Sequence, residues 1–221
     1  MRCIVLCLIL LPIVLCKFSS SSESCSSEIG GGKGRGHGHG HGRRTRAPRT
    51  TRPPPPPPQV CEPGWMEFDR PFGKWCIKVG MDQVNYVGAK IRCGRWGAVL
   101  TGYQNANERI KVGDEALKQL QSHGHVLAGM WLGGQRNGMI MEWNDGVTTG
   151  TEGMKWGIGQ PDWYRKDTQW CMQQFIIAPA YWNNPSWTAF QHNDLDDYWC
   201  LQWSAPPVRM FACGKHAVVS G

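Results

Sequence analysis

Apolar positions change their spacing twice along this chain. Ile4 to Leu15 is an apolar run behind one basic residue, Arg2. At about 12 residues it falls short of the roughly 20 that cross a bilayer as a helix, and it reads as a secretory signal over residues 1–16. Residues 17–60 then offer almost no apolar side chains. Ser19 to Ser27 is Ser-rich, Gly30 to Gly42 alternates Gly with Lys, Arg and His, and Pro53 to Pro58 is an unbroken proline run. Such a segment has little to offset its ordering entropy. The glycines predict a flexible tail, and the prolines a polyproline II rod of roughly 19 Å.

From Cys61 the spacing becomes that of a packed domain. Pro63-Gly64 and Pro71-Phe72-Gly73 separate short aromatic runs and predict a hairpin within Cys61 to Val79. Val84, Val87 and Ile91 recur at three- and four-residue steps, which predicts a helix over Val84 to Cys93 capped by Gly94. Asn105 and Glu108 form an N-terminal cap pair for a second helix, Asn105 to Gln121, with Ile110, Leu117 and Leu120 on one side. Gly113 is out of place inside it. After Gly124 no helical period recurs. Short apolar runs broken by Gly, Asn, Asp and Pro predict strands at Met130 to Gly133, Ile140 to Trp143, Cys171 to Ile177, Tyr198 to Trp203 and Arg209 to Cys213. Helices early and strands late give an α+β domain.

Charge changes the picture only for the tail. The chain has 221 residues, a formal net charge of +7 and 12 Trp. The excess lies in the first 60 residues, and residues 61–221 balance 15 basic with 15 acidic groups. All the tryptophans also follow residue 60. The basic tail suits anionic surfaces, and an exported chain makes these extracellular, so no nucleic-acid partner is expected. His37, His39 and His41 alternate with Gly, a pattern that either binds a transition metal loosely or is a polar spacer.

Once the signal is removed, seven cysteines remain. Cys25 stands in the tail, and Cys61, Cys76, Cys93, Cys171, Cys200 and Cys213 in the head. Export makes three head disulfides the default, with 15 connectivities open on paper. Cys25 is left to bridge two chains as a dimer or to stay a lone thiol. No Cys-x-x-Cys pair suggests a zinc or redox site.

Several spaced features together resemble the C-type lectin-like domains. They are Cys61-Glu62-Pro63-Gly64-Trp65, Ala89-x-x-x-Cys93, Gly97-Ala98-Val99-Leu100, Trp131-Leu132-Gly133-Gly134, Trp143-Asn144-Asp145-Gly146, Trp156, Gln160-Pro161-Asp162, Asp196-Asp197-Tyr198-Trp199-Cys200 and Phe211-Ala212-Cys213. The likeness covers residues 61–217, with 218–221 as a short C-terminal tail. The ending and the low-complexity tail look most like secreted nematode members. The resemblance implies an α+β, C-type lectin-like fold: two helices flanking two small antiparallel sheets, with a long loop region. It also implies the disulfides Cys61–Cys76, Cys93–Cys213 and Cys171–Cys200. Trp65, Trp131, Trp143 and Trp156 match framework positions of the core. Trp163, Trp170, Trp182 and Trp187 fall in loop-like stretches and are contact candidates.

Sugar-binding members of that family hold Ca²⁺ in the long loop. The ion takes six to eight oxygen ligands, several of them carboxylates, and sugar hydroxyls complete the shell. Gln160-Pro161-Asp162 looks like the galactose-type triplet, whose proline is cis. The implied Ca²⁺ ligands are Gln160, Asp162, Gln169, Asp196 and Asp197. The implied sugar contacts are Gln160, Asp162, Asp196 and Asp197, with Trp163 or Tyr164 stacking on the ring. The family's Glu before the aligned cysteine is Gln169 here. Its Trp-Asn-Asp is Leu195-Asp196-Asp197, so one negative charge has moved. The loop beyond Asp162 is short and basic, with Arg165 and Lys166.

The resemblance implies a secreted, extracellular carbohydrate-binding protein. The alternative is a calcium-independent module on the same fold that binds an extracellular protein. A third reading is an adhesive that works through the basic tail with an inert head. No nucleophile elbow, zinc-protease motif or phosphate loop points to an enzyme.

Overall fold

The computed structural model describes residues 58–164, 169–181 and 189–219. The signal, the tail with Cys25 and the His tract, and Arg165, Lys166, Trp182 and Trp187 lie outside the described residues.

Three disulfides fix the frame: Cys61–Cys76, Cys93–Cys213 and Cys171–Cys200. The first closes a 15-residue separation and the second a 120-residue one. In the chain-entropy picture such loops contribute about 3 and nearly 5 kcal/mol. The strands are β1 (Gln59–Val60), β2 (Met66–Arg70), β3 (Gly73–Met81), β4 (Val99–Leu100), β5 (Leu127–Asn137), β6 (Ile140–Trp143), β7 (Gln169–Ile177), β8 (Leu195–Trp199), β9 (Val208–His216) and β10 (Val218–Val219). The helices are α1 (Tyr86–Arg95) and α2 (Ala106–Ser122). Two antiparallel ladders form, β2-β3-β9 with β4, and β8-β7-β5 with β6. A parallel β5–β9 pairing joins them into one eight-stranded sheet. β1 pairs with β10 just outside residues 61–217.

Strand alternation divides the core between the helices. Met130, Leu132, Met210 and Ala212 pack with Val112, Ala116 and Leu120 of α2. Trp131 and Phe211, on the other face of the same strands, pack with Tyr86, Ala89 and Cys93 of α1. Both helices form where the spacing predicts, but α1 turns a different side inward, while α2 keeps Leu117 and Leu120 toward the core. On α1 the expected apolar stripe stays outside, with Val87 and Ile91 exposed, while Tyr86, Ala89 and Cys93 are buried. The tether from Cys93 to β9 decides which face points in. On α2, Ile110 is exposed. Asn105 Oδ1 accepts the Glu108 N–H at 3.0 Å as expected. Glu108 reaches back one residue further than a capping box, to the Gln104 N–H. It also forms a buried ion pair with Arg70.

Gly113 has a packing reason. A Cβ there would lie 1.6 Å from Asn193 Oδ1, which is held by Gln174 Nε2 at 2.8 Å. The expected strand at Tyr198 to Trp203 lies earlier, at Leu195–Trp199, because Cys200 and Leu201 form a turn. Among the described residues no helix is long and apolar enough to cross a membrane.

Candidate functional site

The long loop leaves β6 at Trp143 and is pinned at once. Asp145 accepts the N–H groups of Gly102, Val147 and Thr148 at 2.7–3.0 Å. Arg70, paired with Glu108, also donates to Thr148 Oγ1 and the Gly102 carbonyl. The middle of the loop is stitched to β8: Leu195 N–H donates to the Lys155 carbonyl, and Gly157 N–H to the Leu195 carbonyl. These ties bring residues 160–164 over the outer face of β8.

There the expected triplet closes on itself. The Gln160–Pro161 bond is cis. The Asp162 N–H is shared between Gln160 Oε1 and Asp197 Oδ1, each at 3.0 Å. Asp197 Oδ2 accepts the Trp163 N–H at 3.1 Å. Asp162 Oδ1 accepts the Tyr164 N–H at 2.8 Å. Gln160, Asp162, Trp163, Tyr164 and Asp197 are thus gathered in one place. Trp163 sits there with φ 52°, a left-handed backbone that costs a bulky residue roughly 1–2 kcal/mol. Its ring lies under the Arg136 guanidinium, 5.0 Å from centroid to Cζ.

Asp196 is elsewhere. Successive strand residues face opposite sides, and Asp196 pairs across the ladder with Gln173. Gln173 Nε2 donates to Asp196 Oδ2 at 2.8 Å, and Arg209 Nη1 donates to Gln173 Oε1 at 2.5 Å. Arg209 is fully buried and lies 4.6 Å from the Trp131 ring and 5.0 Å from the Tyr198 ring. Burial pushes the Asp196 carboxyl up to about 8, against a partial pull down from Gln173. Asp197 is also raised, chiefly by burial, while its backbone N–H donors oppose the shift. Gln169 opens β7 opposite Trp199, with its Oε1 buried and without a hydrogen-bond partner.

This donor set is thin for Ca²⁺. On the loop side of β8 it offers two carboxylates and two amide oxygens, since Gln169 pairs with Trp199 on the side of Asp197 and keeps its Oε1 without a partner, against the six to eight oxygens the ion takes. The Asp162 N–H stands between Gln160 Oε1 and Asp197 Oδ1, where a shared cation would have to sit. Among the described residues no group of three His, Cys, Asp or Glu side chains is placed to hold a metal.

Beside the closed loop lies a cavity of about 480 Å³ that the sequence did not reveal. Met139, Ile140 and Met141 of the β5–β6 hairpin form one wall, Thr151, Met154 and Trp156 another, and Pro161 and Trp163 the third. Among the described residues no charged side chain lines it. The available signal was the Met139-Ile140-Met141 run after the Asn137-Gly138 turn. A strand that is apolar on both faces and lies at a hairpin tip must expose one of them. Met139 and Ile140 are exposed accordingly. Of the framework tryptophans, Trp131 is fully buried, while Trp65, Trp143 and Trp156 are half-buried. Trp170 is exposed.

Residues 68–208 match the family described as C-type lectin domain-containing protein 141/158. No curated protein sequence matches the chain. The structure is similar to a calcium-independent type II antifreeze protein, at 20% identity and a TM-score of 0.49, over 73% of this chain and 98% of that one. It is similar to the mouse scavenger receptor C-type lectin carbohydrate-recognition domain, at 18% identity and a TM-score of 0.49, over 73% of this chain and 100% of that one. It is also similar to the cow C-type carbohydrate-recognition domain of CD23, at 15% identity and a TM-score of 0.49, over 72% of this chain and 98% of that one. With the family match spanning most of the domain, the chain belongs to the C-type lectin domain-containing protein 141/158 family.

Proposed function

We propose that this protein is a secreted recognition module whose head binds its ligand without calcium, through the cleft walled by Met139, Met141, Met154, Trp156 and Trp163. The observation that carries the reading is the shared Asp162 N–H, which satisfies the oxygens of Gln160 and Asp197 from within the chain. The cleft supplies the alternative means of binding. Its described lining is uncharged and rich in methionine, a side chain that adapts to irregular apolar shapes. The ligand that suits it is a projecting apolar side chain of an extracellular protein. Trp163, held in a left-handed backbone by Asp197 and stacked beneath Arg136, is the fixed wall against which it packs.

Thermal unfolding of the secreted chain in millimolar Ca²⁺ and in excess chelator tests this reading. The two curves are expected to coincide. A rise of several degrees with Ca²⁺, abolished by Asp162→Asn, would overturn it. So would Ca²⁺-dependent retention on immobilised galactose that a chelator reverses. That result would restore the galactose-type reading of Gln160, Asp162, Trp163, Tyr164, Asp196 and Asp197.

A further inference from the structure

The apolar stripe of α1 is left over by the fold. Val87 and Ile91 stand four residues apart and are 52% and 55% exposed. The core takes the other face of the helix, so the stripe has no role in packing. Beside it lies a shallow, open depression lined by Gln83, Val84, Asn85, Gly88 and Trp203. Its walls are built rather than incidental. Asn85 Oδ1 caps the helix on the Gly88 N–H, and the Tyr86 N–H donates to the Cys200 carbonyl. Gln83 Nε2 donates to the carbonyls of Trp203 and Pro207. Trp203 is tied through its carbonyl to Gln83, just before α1, and remains 55% exposed.

Charge selects the occupant. α1 carries Lys90, Arg92 and Arg95 and no acidic residue. Arg92 is paired with Asp82 at 2.5 Å, whereas Lys90 and Arg95 are exposed beside the stripe. A second copy docking α1 against α1 would set these cations against each other. The chain's own tail, residues 17–60, has eight basic and two acidic residues and is repelled in the same way. An anionic bilayer would meet the same cations without needing the Trp203 depression, and the vesicle measurement below separates the two. We infer that the α1 face, with the Trp203 depression, docks an acidic segment of another protein that carries a bulky apolar side chain. The apolar group enters the depression beside Val87 and Ile91, and flanking carboxylates meet Lys90 and Arg95. This site is separate from the Met-lined cleft, and Ca²⁺ has no part in it.

Selection of a random displayed 12-residue peptide library on the complete secreted chain, with counter-selection on its Val87→Glu/Ile91→Glu variant, tests the inference. The expected survivors have Asp or Glu around one Leu, Phe or Trp, and Ile91→Glu weakens a selected synthetic peptide about tenfold or more. Lys90→Glu/Arg95→Glu, which leaves the apolar stripe intact, is expected to turn the preference toward basic peptides. Circular dichroism and the disulfide count confirm that each variant is folded. The proposal is overturned if no acidic-apolar sequence is enriched. It is equally overturned if peptides ignore the charge reversal, or if Val87 and Ile91 instead govern co-sedimentation with phosphatidylserine vesicles or self-association in sedimentation velocity.

Discussion

Asp196 and Asp197 are neighbours in sequence with identical side chains, yet β8 puts them in different surroundings. Asp197 faces the long loop and receives two of its backbone N–H groups. Asp196 faces a sealed layer of Gln173, Arg209, Trp131 and Tyr198, and its nearest cation acts on it through an amide. Both are buried. One carboxylate organises the long loop, and the other is an acid whose pKa burial pushes up to about 8. A count of acidic residues in a motif is therefore not a count of ligands; the side of the strand decides which oxygens a loop can use.

Stability is lost most at Asp197. Asp197→Ala leaves the Asp162 and Trp163 N–H groups without their acceptor, and charge-assisted bonds of this kind contribute about 1.5–3 kcal/mol each. A loss of about 3 kcal/mol is expected by urea unfolding, with protease cleavage appearing between Gly159 and Tyr164. Asp197→Asn, which keeps one acceptor oxygen, should cost less.

At Asp196 the sign reverses. The unfolded carboxyl titrates near 3.8 and the folded one near 8. Below pH 4 both states are protonated. Between about pH 4 and 8 the unfolded chain releases the proton that the native state keeps, so this group lowers stability as pH rises. Asp196→Asn is expected to match the wild type near pH 4 and to exceed it by several kcal/mol, up to about 5, at pH 8. Paired urea titrations across that range check it. A constant difference at all pH values would mean that Asp196 is not a buried acid.

The smallest effect on stability falls on Trp163. Trp163→Gly relieves the left-handed backbone while removing a cleft wall and a cation–π contact. Stability is expected to change by less than about 1 kcal/mol, since the two contributions oppose. Binding in the cleft, by contrast, should be lost. The pair Asp197→Ala and Trp163→Gly thus separates loop closure from ligand contact.

The existence of both helices was legible because spacing alone marks a 3.6-residue period; the cysteine count left 15 connectivities open, and the pairing was legible only through the family resemblance. The division of labour at Asp196 and Asp197 was not. Placing the strand at Tyr198 to Trp203 leaves both aspartates in a loop, where two neighbours can face one ion. Starting it at Leu195 sends them to opposite sides. The α1 stripe was legible as a period but not as a surface, since a period cannot say which partner covers it. Gly113 is intelligible only through Asn193, 80 residues away and itself at φ 75°. The cleft escaped notice because a Met-rich run looks the same in a core and at a rim.

Amide hydrogen exchange at Asp162 and Trp163 distinguishes a loop held by its own backbone from one held by an ion. If Asp197 and Gln160 hold these amides from within the chain, both exchange slowly, and at the same rate, with millimolar Ca²⁺ and with excess chelator. Fast exchange in chelator that becomes slow only when Ca²⁺ is added would contradict the account, because the loop would then depend on the ion rather than on its own backbone.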